Sequence, residues 1–204
     1  MRIGSVDIGI RNLAFCIYDT DTGSVKHLEL IDLLSIPGTT KRLPFGDQSV
    51  VFLVKRAIKS RLALFESLDC FCVEKQMTRK MVLIAFAFEA VLDEGCTVLQ
   101  ISPRSVKTMF GTSRGNHANN KKAAIAQMYS MLDARGVDML NQYSKKDDVC
   151  DAILQALYVA EHFDDLVAKK LQHCTVQPTK KKRKRATGTK KKKKPVFFVD
   201  RQGT

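Results

Sequence analysis

The chain has 204 residues at 45% hydrophobic content, enough for one globular domain or for one domain with a tail. Its formal charge of +13 is unevenly placed: residues 179–204 hold twelve of the 34 Lys and Arg but one of the 21 Asp and Glu, so the body is nearly neutral. No apolar run approaches the roughly 18 residues of a membrane span, and the chain opens directly on Arg2-Ile3-Gly4-Ser5-Val6-Asp7-Ile8, which excludes a membrane-spanning helix and predicts neither a signal peptide nor a mitochondrial presequence.

Residues 2–8 predict a first strand and residues 13–18 a second, followed by the turn formers Asp19-Thr20-Asp21-Thr22-Gly23-Ser24. A third strand is expected over residues 25–33, which makes an antiparallel meander. Residues 35–48, with Pro37, Gly38, Pro44 and Gly46, predict a loop. Apolar residues at helical spacing predict a helix over residues 50–68. The short apolar run Cys70-Phe71-Cys72-Val73-Glu74 reads as a buried strand ending in an acid. A helix over residues 78–94 is closed by Gly95, and residues 98–101 form a fifth strand. Ser102 caps a short helix that has Pro103 at its first position and carries Lys107. After a polar loop over residues 111–118, Asn119 or Asn120 is expected to cap a helix reaching Ala134 and closed by Gly136. A last helix is expected over residues 146–171. Strands first, then helix and strand alternating, then helices predict an α/β domain over residues 1–178 and a disordered basic tail over residues 179–204. Six cysteines without a C-x-x-C pair, alongside four histidines, give no zinc site and read as buried thiols in a reducing compartment.

The acids carry the chemistry. Asp7 interrupts an apolar strand and Glu74 ends another, and burying a carboxylate is costly unless it is paired or bound to a metal. For either one alone, a salt bridge or a strand-end carboxylate facing water accounts for the acid as well as a catalytic role does. Lys145-Lys146-Asp147-Asp148-Val149-Cys150-Asp151 opens the last helix. Acids at a helix N-terminus complement its dipole, which accounts for Asp147 and Asp148. Asp151 is less well accounted for: it shares a face with Asp148, and that face continues through Leu154 and Gln155 to Tyr158. An inward Asp pair beside a sheet that already carries two acids calls for cations, and an all-oxygen donor set favours Mg²⁺ or Mn²⁺.

Four segments in this order resemble the RuvC-type Holliday junction resolvases, closest to their poxvirus and yeast mitochondrial branch: Asp7-Ile8-Gly9-Ile10-Arg11-Asn12-Leu13-Ala14, Val73-Glu74-Lys75-Gln76, Ile101-Ser102-Pro103 with Lys107, and Lys146-Asp147-Asp148 with Asp151. The resemblance spans residues 2–170. It implies an RNase H-like fold, a mixed five-stranded sheet flanked by helices. It further implies that Asp7, Glu74, Asp148 and Asp151 hold two Mg²⁺ ions per active site, for which Mn²⁺ substitutes. Two metals about 4 Å apart activate the attacking water and stabilise the leaving 3′ oxygen. Asp7 would be the shared ligand, Asp147 would stay outside the ligand set, and Lys107 would place a charge near the scissile phosphate. Lys107 also reads as an ordinary exposed lysine. The implied activity is symmetric nicking of four-way and other branched DNA, leaving 5′-phosphate and 3′-hydroxyl ends, in recombination and in resolution of concatemeric viral genomes.

The helix over residues 78–94 is apolar nearly all round. Met81, Ile84, Ala85, Phe88, Val91 and Leu92 form one stripe; Val82, Leu83, Phe86, Ala87 and Ala90 form another. The second stripe reads as packing beneath the C-terminal helix or, by the resemblance, as a homodimer interface, which suits paired nicks. Met77, Thr78, Arg79 and Lys80 would then face the branch point, although they read equally as a solvated first turn. Arg114, Lys121, Lys122, Lys145 and Lys146 are further candidate phosphate contacts. The tail reads as an electrostatic DNA contact or a nuclear import signal, and the resemblance places the chain in the host cytoplasm at viral replication sites. Pro195-Val196-Phe197-Phe198-Val199-Asp200 could add to a sheet edge or bind a partner. Two other readings stay open: a junction-binding protein without catalysis, and an actin-like phosphotransferase, whose first phosphate loop Asp7, Gly9 and Asn12 would also suit.

Overall fold

Alternation along the strands sets the architecture. In a computed structural model, which describes residues 1–36, 47–92, 95–113 and 115–175, five strands form one sheet: β1 (Arg2–Asp7), β2 (Leu13–Asp19), β3 (Ser24–Ile31), β4 (Cys70–Glu74) and β5 (Thr97–Ile101). Their order is β3-β2-β1-β4-β5. β1, β2 and β3 form the expected antiparallel meander, and β4 runs parallel to both β1 and β5. Successive side chains point to opposite faces, so β2 sends Leu13, Phe15 and Ile17 to one core and Ala14 and Cys16 to the other.

The first face is covered by α1 (Asp47–Lys59), α2 (Leu62–Phe65) and α3 (Arg79–Leu92). Phe15 stacks on Phe65 at 4.8 Å between ring centroids, and Phe71 lies 5.2 Å from Phe88. The second face is covered by α4 (Pro103–Met109), α5 (His117–Met131), α6 (Ala134–Asn141) and α7 (Lys146–Thr175), the last lying across β1 and β2. α7 changes direction at His162, whose φ of −127° leaves the helical range. Among the described residues no helix is long and apolar enough to cross a membrane. Cys16, Cys70, Cys72 and Cys150 are buried free thiols, and burial raises the Cys16 and Cys70 groups to about 12.

Several boundaries differ from the sequence expectation for identifiable reasons. The helix expected over residues 50–68 is broken at Ser60 and Arg61. The Ser60 hydroxyl donates back to the Ala57 carbonyl, and the Arg61 guanidinium donates to both oxygens of Glu29 on β3, at 2.7 and 2.5 Å. The chain restarts as α2, which delivers Phe65 to the core. Asn116, rather than Asn119 or Asn120, caps α5 by accepting from the Asn119 N–H at 2.8 Å. The helix expected to reach Ala134 stops at Met131 because Asp133 starts a new one, accepting from the Gly136 N–H at 2.7 Å. Gly136 is therefore a buried residue inside α6 and not a helix stop.

α3 packs on α1, on the opposite face of the sheet from α7, so its second stripe is not covered by the C-terminal helix. Phe86 is 54% exposed, Val82 and Leu83 are half-buried, and Ala90 is exposed. Ala87 departs from the expectation. Three positions after Ile84, it sits at the edge of the inward face and is buried in the chain's own core. Most of the loop expected over residues 35–48, Arg114 and the whole of residues 179–204 lie outside the described residues.

Candidate active site

Ile3, Ser5 and Asp7 on β1, and Cys70, Cys72 and Glu74 on β4, share the face that α7 covers. The parallel register pairs Val6 with Val73, so Asp7 and Glu74 are the next two residues, side by side at the carboxyl ends of adjacent strands. The chain proceeds from β1 to β2 and β3 on one side and to β4 and β5 on the other. Asp7 and Glu74 therefore flank the point where strand order reverses, where open α/β sheets place their sites.

Two devices bring the helices to that point. The buried Ser5 hydroxyl donates to the Ala152 carbonyl at 2.5 Å, fixing the first turns of α7 over β1 and with them Asp151. Pro103, with its φ fixed for the first turn, starts α4 directly after β5 and places Lys107 in the last turn. Glu74, Lys107, Asp151 and Gln155 then line one cleft. The turn from β1 to β2 is tight: a Cβ on Gly9 would meet the Asn12 carbonyl oxygen at 2.5 Å.

The electrostatics of the cluster are strained. Burial, then the neighbouring Asp151, Glu74 and Asp148 carboxylates, raise the Asp7 carboxyl to about 8, with Lys107 opposing. Burial also raises Glu74, as does Asp151, again against Lys107. Asp151 is raised chiefly by burial and further by Asp147 and Asp148, while Lys107 and Lys121 oppose. Asp147 behaves differently. Burial would raise it, but a hydrogen bond from Lys121, its own backbone N–H and the nearby lysines outweigh that and lower it.

The structure thus brings together Asp7, Glu74, Asp151 and Lys107, with Asp148 close enough to act on Asp7 and Asp151. Asp148 itself is ion-paired with Lys145. Of the expected phosphate contacts, Lys121 and Lys145 are committed to Asp147 and Asp148, Lys146 is half-buried and Lys122 is exposed. Met77, Thr78, Arg79 and Lys80 are exposed at the start of α3. Two polar residues of the site, Ser5 and Gln155, were not among the expected site residues. The signal for Gln155 is a polar side chain on the inward, apolar face of a helix, whereas a serine in a strand gives none for Ser5.

Four carboxylates with one nearby lysine form a hard, anionic oxygen donor set, which fits a divalent cation of the Mg²⁺ type. They surround no common point as they stand: among the described residues, no three acids, imidazoles or thiols are gathered around a single position. Asp148 is turned to Lys145, and the acids would have to close in on one another to hold a single ion.

The mixed five-stranded sheet flanked by helices is an RNase H-like, RuvC-like fold. The chain belongs to the poxvirus A22 protein family, whose pattern matches residues 1–162. It is similar to the fowlpox virus resolvase solved with substrate Holliday junction DNA, at 25% identity and a TM-score of 0.56, over 80% of this chain and 99% of that one. The fowlpox virus Holliday junction resolvase solved separately matches at 23% identity and a TM-score of 0.56, over the same shares. RuvC from T. thermophilus, in complex with a Holliday junction substrate, matches in fold at 16% identity and a TM-score of 0.50, over 79% of this chain and 95% of that one. No curated protein sequence matches significantly.

Proposed function

We propose that this chain is a Holliday junction resolvase, a cation-dependent endonuclease that nicks four-way DNA at two symmetric positions. The observation that carries this reading is that Glu74, Asp151 and Lys107 line one cleft, with Asp7 beside them on β1 and within electrostatic reach of all three, in a chain of this family. Asp7, Glu74, Asp148 and Asp151 would hold Mg²⁺, with Mn²⁺ as a substitute. Bound cations would offset the charge of the phosphodiester and promote attack by water.

The remaining roles belong to the chain itself. Asp7 and Glu74 are fixed by the sheet, whereas the acids of α7 are set by its docking through Ser5. Lys107 supplies positive charge where a phosphate would meet the acids. Lys145 reaches Asp148 and, with the Asn12 amide oriented to satisfy both its polar atoms, donates to that amide at 3.2 Å, tying the β1–β2 turn to α7. The outer face of α3, with Val82, Leu83, Phe86 and Ala90, is read as the contact with a second copy. Met77, Thr78, Arg79 and Lys80 lie next to it and are read as facing the branch point. Lys122, Lys146 and Arg114 are read as phosphate contacts, and residues 179–204 as a non-specific one.

Asp7→Asn and Asp151→Asn test the site. Each is expected to reduce nicking of a synthetic four-way junction in Mg²⁺ by about 10³-fold or more, a loss of roughly 4 kcal/mol in transition-state stabilisation, while junction binding in gel shifts persists. Normal nicking by either variant would refute the assignment.

A further inference from the structure

Gln155 lies one helical turn beyond Asp151 on the same face of α7. It is 2% exposed, and neither Nε2 nor Oε1 has a hydrogen-bond partner. Among the described residues the Thr112 hydroxyl is also buried without a partner, but Thr112 does not line the acid cleft. Gln155 does, together with Glu74, Lys107 and Asp151, and the cleft wall is otherwise apolar, with Ile101 and Val106. Packing alone does not ask for an amide here. A methionine or leucine would fill the volume without leaving polar atoms unsatisfied.

The chemistry of the amide suits its neighbours. Its two N–H donors match the Glu74 and Asp151 carboxylates, and its carbonyl matches the Lys107 ammonium. The cavity between them is about 10 Å³, near the lower limit for one ordered water with several polar partners. We propose that Gln155 is a positioning residue of the acid cluster: through one water held in this cleft, its amide orients Glu74 and Asp151 toward the cation they bind. Partners one step removed from the ligands set metal affinity in this way, and their loss weakens it by about 10–100-fold. The inference rests on the reading of the cluster as a cation site.

The test titrates Mn²⁺ into metal-free full-length protein, by calorimetry and by the loss of the free-ion paramagnetic resonance signal, for wild type, Gln155→Met and Gln155→Leu. Both variants are expected to melt at or above the wild-type temperature without divalent ions, yet to bind Mn²⁺ about tenfold more weakly or worse. Wild-type affinity in both variants would overturn the role of Gln155 while leaving the cation site standing. If wild type itself takes up no Mn²⁺, the cation reading fails and the inference falls with it. Unfolding of both variants would make Gln155 a core residue and overturn the inference as well.

Discussion

Asp7 is the residue on which the site's energetics turn. Its carboxyl is raised to about 8 by burial and by three other acids, so the folded chain holds a proton there that the unfolded chain releases near pH 4. A folded-state value above the unfolded one contributes stability that is fully present below about pH 4 and lost as pH rises through about 8. Glu74 and Asp151 are shifted the same way. Without divalent ions, thermal stability should therefore fall as pH rises from about 4 to about 8. Asp7→Asn should flatten that slope and, at pH 8, raise the melting temperature by roughly 3–6 °C for about 1–2 kcal/mol of relieved repulsion. Thermal melts in EDTA across this range check it, and an unchanged slope in the variant would place the cost elsewhere. Asp7 and Glu74 were legible in the sequence because a carboxylate stands out in an apolar strand. Ser5 was not, since a serine in a strand says nothing of the helix carbonyl 147 positions away that it meets. Gln155 was visible on the Asp151 face, but only the fold shows that its amide lacks partners beside a lysine and two acids.

Among the elements, the strands were read most closely, because short apolar runs between turn formers have few alternatives. Helix ends were read less well. The stops at Ser60 and Asp133 depend on which local oxygen captures a backbone group, and Asn116, Asn119 and Asn120 compete for one capping position. α3 shows how a fold divides an all-apolar helix. Ile84, Ala85, Ala87, Phe88 and Leu92 are spent on the chain's own core, leaving Phe86 at the centre of an outward strip. Spacing placed Ala87 on the wrong side of that division because it lies at the boundary between the two stripes. Phe86→Asp should keep the fold, since the side chain is 54% exposed, and should convert a dimer to a monomer in sedimentation or light scattering. A variant that still sediments as a dimer would move the interface off α3.

The whole molecule separates charge from chemistry. Residues 179–204 carry most of the +13, while the acids that would meet DNA lie in the near-neutral body. A chain ending at Pro178 should bind junctions more weakly and with a shallower dependence of log affinity on log salt, by about 0.9 for each phosphate that the tail no longer neutralises, yet still nick at saturating concentration. Loss of cutting at saturation would tie the tail to catalysis. The central claim, that a sheet-borne acid cluster in a two-fold assembly resolves four-way DNA, is tested most directly with the full chain in Mg²⁺. The substrate is a synthetic junction labelled on each of its four strands, with a linear duplex of the same sequence as the control. Paired nicks on opposing strands of the junction, with 5′-phosphate ends and the duplex left intact, are the expected result. Equal cutting of the duplex, or single nicks without symmetry, would contradict the account.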